Sequence, residues 1–151
     1  ETETKTEYTY GNSLTNGLSI SELQSQGYID GSGNLTPSHD AATANWGGSW
    51  RMPTKEELEE LKNECTWTWT TQNGVNGSKV TGPNGNHIFL PAAGYREGSS
   101  HNGAGGYGSY WSSTQDVSNT NGAYELAFHS SGQYVVWDHR YYGQSVRPVS
   151  E

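Results

Sequence analysis

The chain has 151 residues, a net charge of −8 and eight Lys and Arg against sixteen Asp and Glu, a balance that excludes a nucleic-acid surface, which needs a basic footprint. No apolar run approaches the ~20 residues of a membrane-spanning helix, no signal-peptide pattern is seen, and a single cysteine, Cys65, excludes an intramolecular disulfide framework and a CxxC-type metal site. Leu, Ile, Val and Phe number only twenty, yet six Trp and ten Tyr, at ~150–250 Å² buried per ring, point to a folded, loop-rich domain with an aromatic core rather than to disorder.

Residues 1–18 are polar and Thr-rich, and read as a linker or edge strand, the truncated start of a domain that occupies 19–151. "SISELQSQG" carries a capping box, Ser19 with Glu22, and a Gly27 stop, which predicts a short helix. "PSHDAATANWGG" predicts one or two helical turns ended by Gly47. In "PTKEELEELKNEC" Thr54 caps, Glu57 completes the box, and Leu58 and Leu61 form a narrow apolar stripe; the acidic first turn suits the helix dipole. After Cys65 the pattern changes to strands: "TWTWTT", "HIFLPAAG", "GSYWSST", "AYELAF", "YVVWDHR" and "QSVRPV", each bounded by Gly, Ser, Asn or Pro. Short helices followed by several short, mostly antiparallel strands predict an α+β class.

The last hairpin decides which side chains face outward. A four-residue loop at 130–133 would set His129 opposite Tyr134, Phe128 opposite Val135, Leu126 opposite Trp137 and Glu125 opposite Asp138. Leu126, Phe128, Val135 and Trp137 then face the core, and the second face holds two carboxylates directly across from each other, which costs stability unless compensated. Tyr134, Asp138, His139, Tyr141 and Tyr142 are expected on an outward face, with Glu125 and His129 beside them. The Gly-rich stretch 96–108 is read as a loop at the same sheet end, so that His101, Asn102 and Tyr107 rim the site.

"NWGGSWRMPTKEELEEL", "IFLPAAGYR", "YWSST" and "YYGQSVRPV" occur in this order over residues about 45 to 149. In these segments the chain resembles the Fibrobacter succinogenes major paralogous domain, a secreted or surface-associated family of Bacteroides-type gut bacteria. The resemblance implies a C-type lectin-like fold related to formylglycine-generating enzymes, a location outside or on the surface of a bacterial cell, and a scaffold role for Trp50, Arg51, Pro53, Trp111, Ser112, Ser113, Ser145, Val146 and Arg147. The family includes variable proteins of diversity-generating retroelements, whose adenine mutagenesis turns Asn codons into Tyr, Ser, Asp, His and Gly. Residues 129–149 use that alphabet heavily.

Chemistry is weighed against this background. The formylglycine-generating relatives use paired cysteines, which Cys65 alone cannot supply, and nothing like GxSxG appears; no catalysis is expected. His129, His139, Asp138 and Glu125 offer hard ligands that would suit calcium, but the Glu-Pro-Asn and Trp-Asn-Asp motifs of sugar-bound calcium are absent and "PNGN" at 83–86 reads as a turn; no cofactor is assigned. Tyr and Trp offer large contact area at low entropic cost, with Ser, Gly and Asn supplying adaptable hydrogen bonds, as in antibody paratopes. The sequence therefore predicts a module that binds a protein or glycan on another cell or surface. A retroelement-diversified receptor, a fixed carbohydrate-binding adhesin and a structural module of a larger surface or pilus protein all fit this composition.

Overall fold

The computed structural model describes residues 7–150. Their elements are a 3₁₀ turn at Tyr10–Asn12, then α1 (Ile20–Ser25), α2 (Ala41–Trp46), β1 (Trp50–Arg51), α3 (Lys55–Glu64), β2 (Thr66–Gln72), β3 (Val75–Thr81), β4 (His87–Pro91), β5 (Tyr95–Glu97), β6 (Ser100–Asn102), β7 (Tyr107–Gln115), β8 (Gly122–His129), β9 (Gly132–His139) and β10 (Val149–Ser150). Three short helices and ten short strands, all paired antiparallel, make an α+β protein. The reading of 1–18 falls partly outside the described residues, since 1–6 lie there. Of the remainder, only Tyr8 makes a strand-like bridge, to Gly98.

Local chemistry sets the helices. Ser19 and Thr54 accept from the N–H groups of Glu22 and Glu57, whose carboxylates reach back to the capping residues, so α1 and α3 both begin in a closed capping box. Arg51 then forks onto the same Glu57 with two bonds of 2.7 Å, tying β1 to the start of α3. The buried Asp40 caps α2 through Ala42 and Thr43 N–H, and its second oxygen accepts from Met52 N–H at 2.8 Å. Gly47, at φ 65°, ends that helix in a conformation open to glycine.

The strands form two three-stranded sheets, β2–β3–β4 and β7–β8–β9, and two small pairs, β1–β10 and β5–β6. Between the large sheets lies the core, where Leu58 of α3 meets Val80, Leu90, Tyr110, Leu126 and Phe128, with Leu61, Cys65, Trp67, Trp69, Ile88 and Val135 packed against them. Phe128 is fully buried, stacked on Tyr110 (5.9 Å) and tilted on Trp67 (5.6 Å). Aromatics thus do replace aliphatics here, though Trp46, Trp50 and Trp137 stay well exposed. No helix among the described residues is long and apolar enough to cross a membrane.

Four strands, β1, β3, β5 and β6, are not legible in the sequence. β3, "VNGSKVT", is reached through an Asn73-Gly74 turn with both residues at positive φ (50° and 80°), the conformation that joins twisted hairpin strands. The stretch 96–108, expected as a loop, opens with the β5–β6 hairpin. "QSVRPV" adds only Val149 to a strand; Ser145 bonds backbone to backbone with Ser109 and Trp111, laying the C-terminal segment along β7.

Candidate functional site

The β8–β9 turn is two residues long, Ser130 and Ser131, not four. His129 therefore pairs with Gly132, Ala127 with Tyr134, Leu126 with Val135, Glu125 with Val136, Tyr124 with Trp137 and Ala123 with Asp138. The expected register is out by two residues. Because side chains alternate with period two, an even shift leaves the two faces unchanged. What changes is the pairing: Glu125 and Asp138 are diagonal neighbours rather than directly opposed.

Trp137 corrects the expectation of a core residue. It shares its face with Val135, but β9 is the outer strand of its sheet and the ring lies at the rim, 47% exposed. Its covers are local: the ring packs over Gly122 and meets His139 edge-on at 5.7 Å.

On the other face, Tyr107, Ser109 and Trp111 of β7, Glu125, Ala127 and His129 of β8, and Tyr134, Val136 and Asp138 of β9 lie in register. A row of rings crosses it: Tyr95 to Tyr107 at 6.3 Å, Tyr107 stacked on His129 at 6.3 Å, and His129 on Tyr134 at 5.7 Å. Tyr134 is 48% exposed and its ring lies over Gly132, where a Cβ would meet the hydroxyl at 2.5 Å. Beneath the row sits Glu125, buried, taking a hydrogen bond from the Ser109 hydroxyl. Burial, opposed by that bond and reinforced by Asp138, pushes its carboxyl up to about 7. Burial likewise raises Asp138, and raises Tyr107 with help from both carboxylates. Gln144 bridges the pair, bonding Glu125 and donating to Asp138 Oδ2 at 3.3 Å. Glu125, expected at the surface, is thus a polar floor to the face, and Gln144 of the C-terminal loop covers it.

The remaining site residues gather elsewhere. Tyr141 stacks on His139 at 5.2 Å, Tyr142 meets both edge-on, and the Tyr142 hydroxyl donates to Glu97 at 3.0 Å. His101 Nε2 lies 2.6 Å from the Ala93 carbonyl, and Asn102 lines a small cavity with Tyr8 and Tyr141. Tyr142 and Tyr95, 5.8 Å apart, link this cluster to the ring row. Sequence reasoning missed Tyr95 and Gln144; only the fold brings them over β7 and β8. The hard ligands do not assemble: among the described residues no three His, Cys, Asp or Glu could hold a metal ion.

Residues 50–149 match the family model of a domain of unknown function, DUF8237. The chain belongs to that family. The DUF8237 span runs from β1 into β10 and holds every residue expected at the site. No curated protein and no solved structure matches the chain significantly.

Proposed function

We propose that this DUF8237 chain is a ligand-binding domain of a bacterial surface or secreted protein, a relative of the Fibrobacter succinogenes major paralogous domain with a C-type lectin-like fold and no catalysis of its own. It grips a protein or glycan with the outer face of β7–β8–β9. The observation that carries this reading is the ring row Tyr95–Tyr107–His129–Tyr134. Rings aligned on a sheet face, ending in a half-exposed Tyr134 beside an exposed Val136, offer a flat apolar surface with polar edges, the chemistry of interface hot spots.

The residue alphabet supports diversification by a retroelement. Tyr, His and Asp cluster on the outer face and the loop after it, while Leu126, Phe128 and Val135 hold the core side. A fixed glycan-binding adhesin would use the same rings as a stacking platform; a structural module would need no ligand at all.

The test is binding of the wild type to arrays of glycans and bacterial and host surface proteins, beside Tyr134→Ala and a control, Val75→Ala, on the separate β2–β3 hairpin. Loss of a ligand by at least tenfold in Tyr134→Ala alone, with an unchanged melting temperature, supports the reading. A ligand held equally by all three proteins, or none on any array, overturns it.

A further inference from the structure

Carboxylates outnumber Lys and Arg two to one in this chain, so a large recess with no carboxylate among its described lining residues stands out. Such a recess, about 870 Å³, lies between the N-terminal segment with α2, the β5–β6 hairpin and the loop at 140–146. That volume is in the range of small-ligand sites. Among the described residues no Asp or Glu lines it, while two of the four arginines, Arg96 and Arg140, and two of the five histidines, His39 and His101, do.

Among the described residues neither arginine has an anionic partner. Arg96 engages Gly143 through its backbone (2.7 and 3.0 Å), but its guanidinium makes no hydrogen bond or ion pair among the described residues. Arg96 and His101 are direct cross-strand partners, so both side chains stand on the same face of the hairpin. Glu97, on the opposite face by alternation, takes the Tyr142 hydroxyl bond and lines the smaller cavity. Arg140 gives its terminal nitrogens to neutral acceptors only, Gln115 Oε1 (3.1 Å) and the carbonyls of Thr15 (2.7 Å) and Thr120 (2.5 Å). Its Nε and the nearby Gln144 Oε1 are buried without a partner. Arg140 is a half-buried cation without a counter-ion among the described residues, which is costly to keep in a folded protein, and an incoming anion relieves that cost; Arg96 is exposed and free to turn toward the same anion.

The rest of the lining is aromatic and apolar: Tyr28, Tyr95, Trp111 and Tyr142, with Leu35 and Met52. We propose that this cleft binds a small organic carboxylate built on a ring, its charge met by Arg96 and Arg140 and its ring held between the Tyr and Trp walls. An acidic pyranose and an aromatic acid share that chemistry. The cleft shares Tyr95 and Trp111 with the outer sheet face but not His129 or Tyr134, so a variant at Tyr134 tells the two sites apart.

The experiment is an NMR titration of ¹⁵N-labelled protein, following the Trp111 indole and the Gly94 and Gly143 amides, all on the cleft wall. D-glucuronate and phenylacetate are the two carboxylate arms; methyl β-D-glucopyranoside and phenylacetamide are their neutral twins, with acetate as the plain anion at constant ionic strength. At least one carboxylate is expected to bind tenfold or more tightly than its neutral twin and than acetate, and the arm that binds names the ligand class. Arg96→Gln is expected to lose at least tenfold, and Arg96→Lys no more than about threefold. Tyr134→Ala, which tests the sheet face, is expected to leave the titration unchanged. Absent shifts in both carboxylate arms, equal binding of a neutral twin or of acetate, or full retention in Arg96→Gln each overturn the proposal, and none of them bears on the sheet face.

Discussion

The Ser109 hydroxyl donates its proton to a Glu125 carboxylate that is only 3% exposed. One hydroxyl and one amide, from Gln144, are less than water would give an ionised carboxylate, so Glu125 titrates near 7 in the folded protein against 4.5 when exposed. Between those values the folded state holds a proton that the unfolded chain has released. Stability therefore falls as pH rises from 4.5 to 7, by up to ~3 kcal/mol. Asp138, also raised by burial, adds to the fall with the same sign. Glu125→Gln is expected to flatten most of this slope and to exceed the wild type in stability at pH 8. Urea midpoints at pH 4.5, 6 and 8 decide it; two parallel curves would refute it.

Arg51 and Glu57 work in the opposite direction. The Arg51 guanidinium hydrogen-bonded to Glu57 holds its carboxyl below the usual range. The ion pair's contribution is present above about pH 4.5 and is lost as pH falls through the lower, folded value. Arg51→Lys keeps the charge but not the fork, and is expected to cost ~0.5–1 kcal/mol at pH 7, discounted for the partial exposure of both side chains. The gap between variant and wild type should close at pH 3. A gap that persists there would assign the cost to packing instead.

How much of this was readable beforehand depends on the range of the interactions involved. Capping is settled within four residues, so Ser19–Glu22 and Thr54–Glu57 stood in the sequence and in the fold alike. The faces of β8 and β9 also follow from alternation alone, and survive a register error of two. The turn length does not: Ser130 and Ser131 carry no strong turn signal, whereas Asn73-Gly74 is a strong one but leads into β3, which is polar and contains a glycine and so lacks a strand pattern. Burial of Glu125 could not be foreseen, since Gln144, which bridges it to Asp138, arrives from a segment that pairs with β7 rather than with β8. Nor could exposure of Trp137, which follows from β9 being the outer strand of β7–β8–β9 among the described residues.

Asp40 is a buried carboxylate with three backbone N–H donors, two opening α2 and one from Met52. Asp40→Ala removes the cap and strands the Met52 donor, and is expected to cost ~2–4 kcal/mol. Asp40→Asn retains one acceptor oxygen and should lose about half as much. Thermal unfolding of the two variants compares them directly; equal losses would mean that charge, rather than the number of accepted bonds, is what matters.

Gly108 and Gly132 lie near the same end of the sheet but on opposite faces, Gly108 opposite the core residue Phe128 and Gly132 opposite His129, and should respond differently to the same added methyl. At Gly108 a Cβ would fall 2.1–2.7 Å from the ring of Phe128, which is fully buried and wedged against Tyr110 and Trp67. That ring has no free direction, so Gly108→Ala must move β7 or β8 and is expected to cost ~2–3 kcal/mol or more. At Gly132 the obstructing atoms are the outer end of the half-exposed Tyr134. A rotation of that ring into solvent relieves the clash, so Gly132→Ala is expected to cost less than ~1 kcal/mol. It should nevertheless impair whatever the outer face binds, because the ring leaves the row it forms with His129. Urea unfolding together with array binding separates the two effects. Comparable destabilisation at both glycines would mean that Tyr134 is as firmly held as Phe128, and would remove the adaptable ring from the proposed binding face.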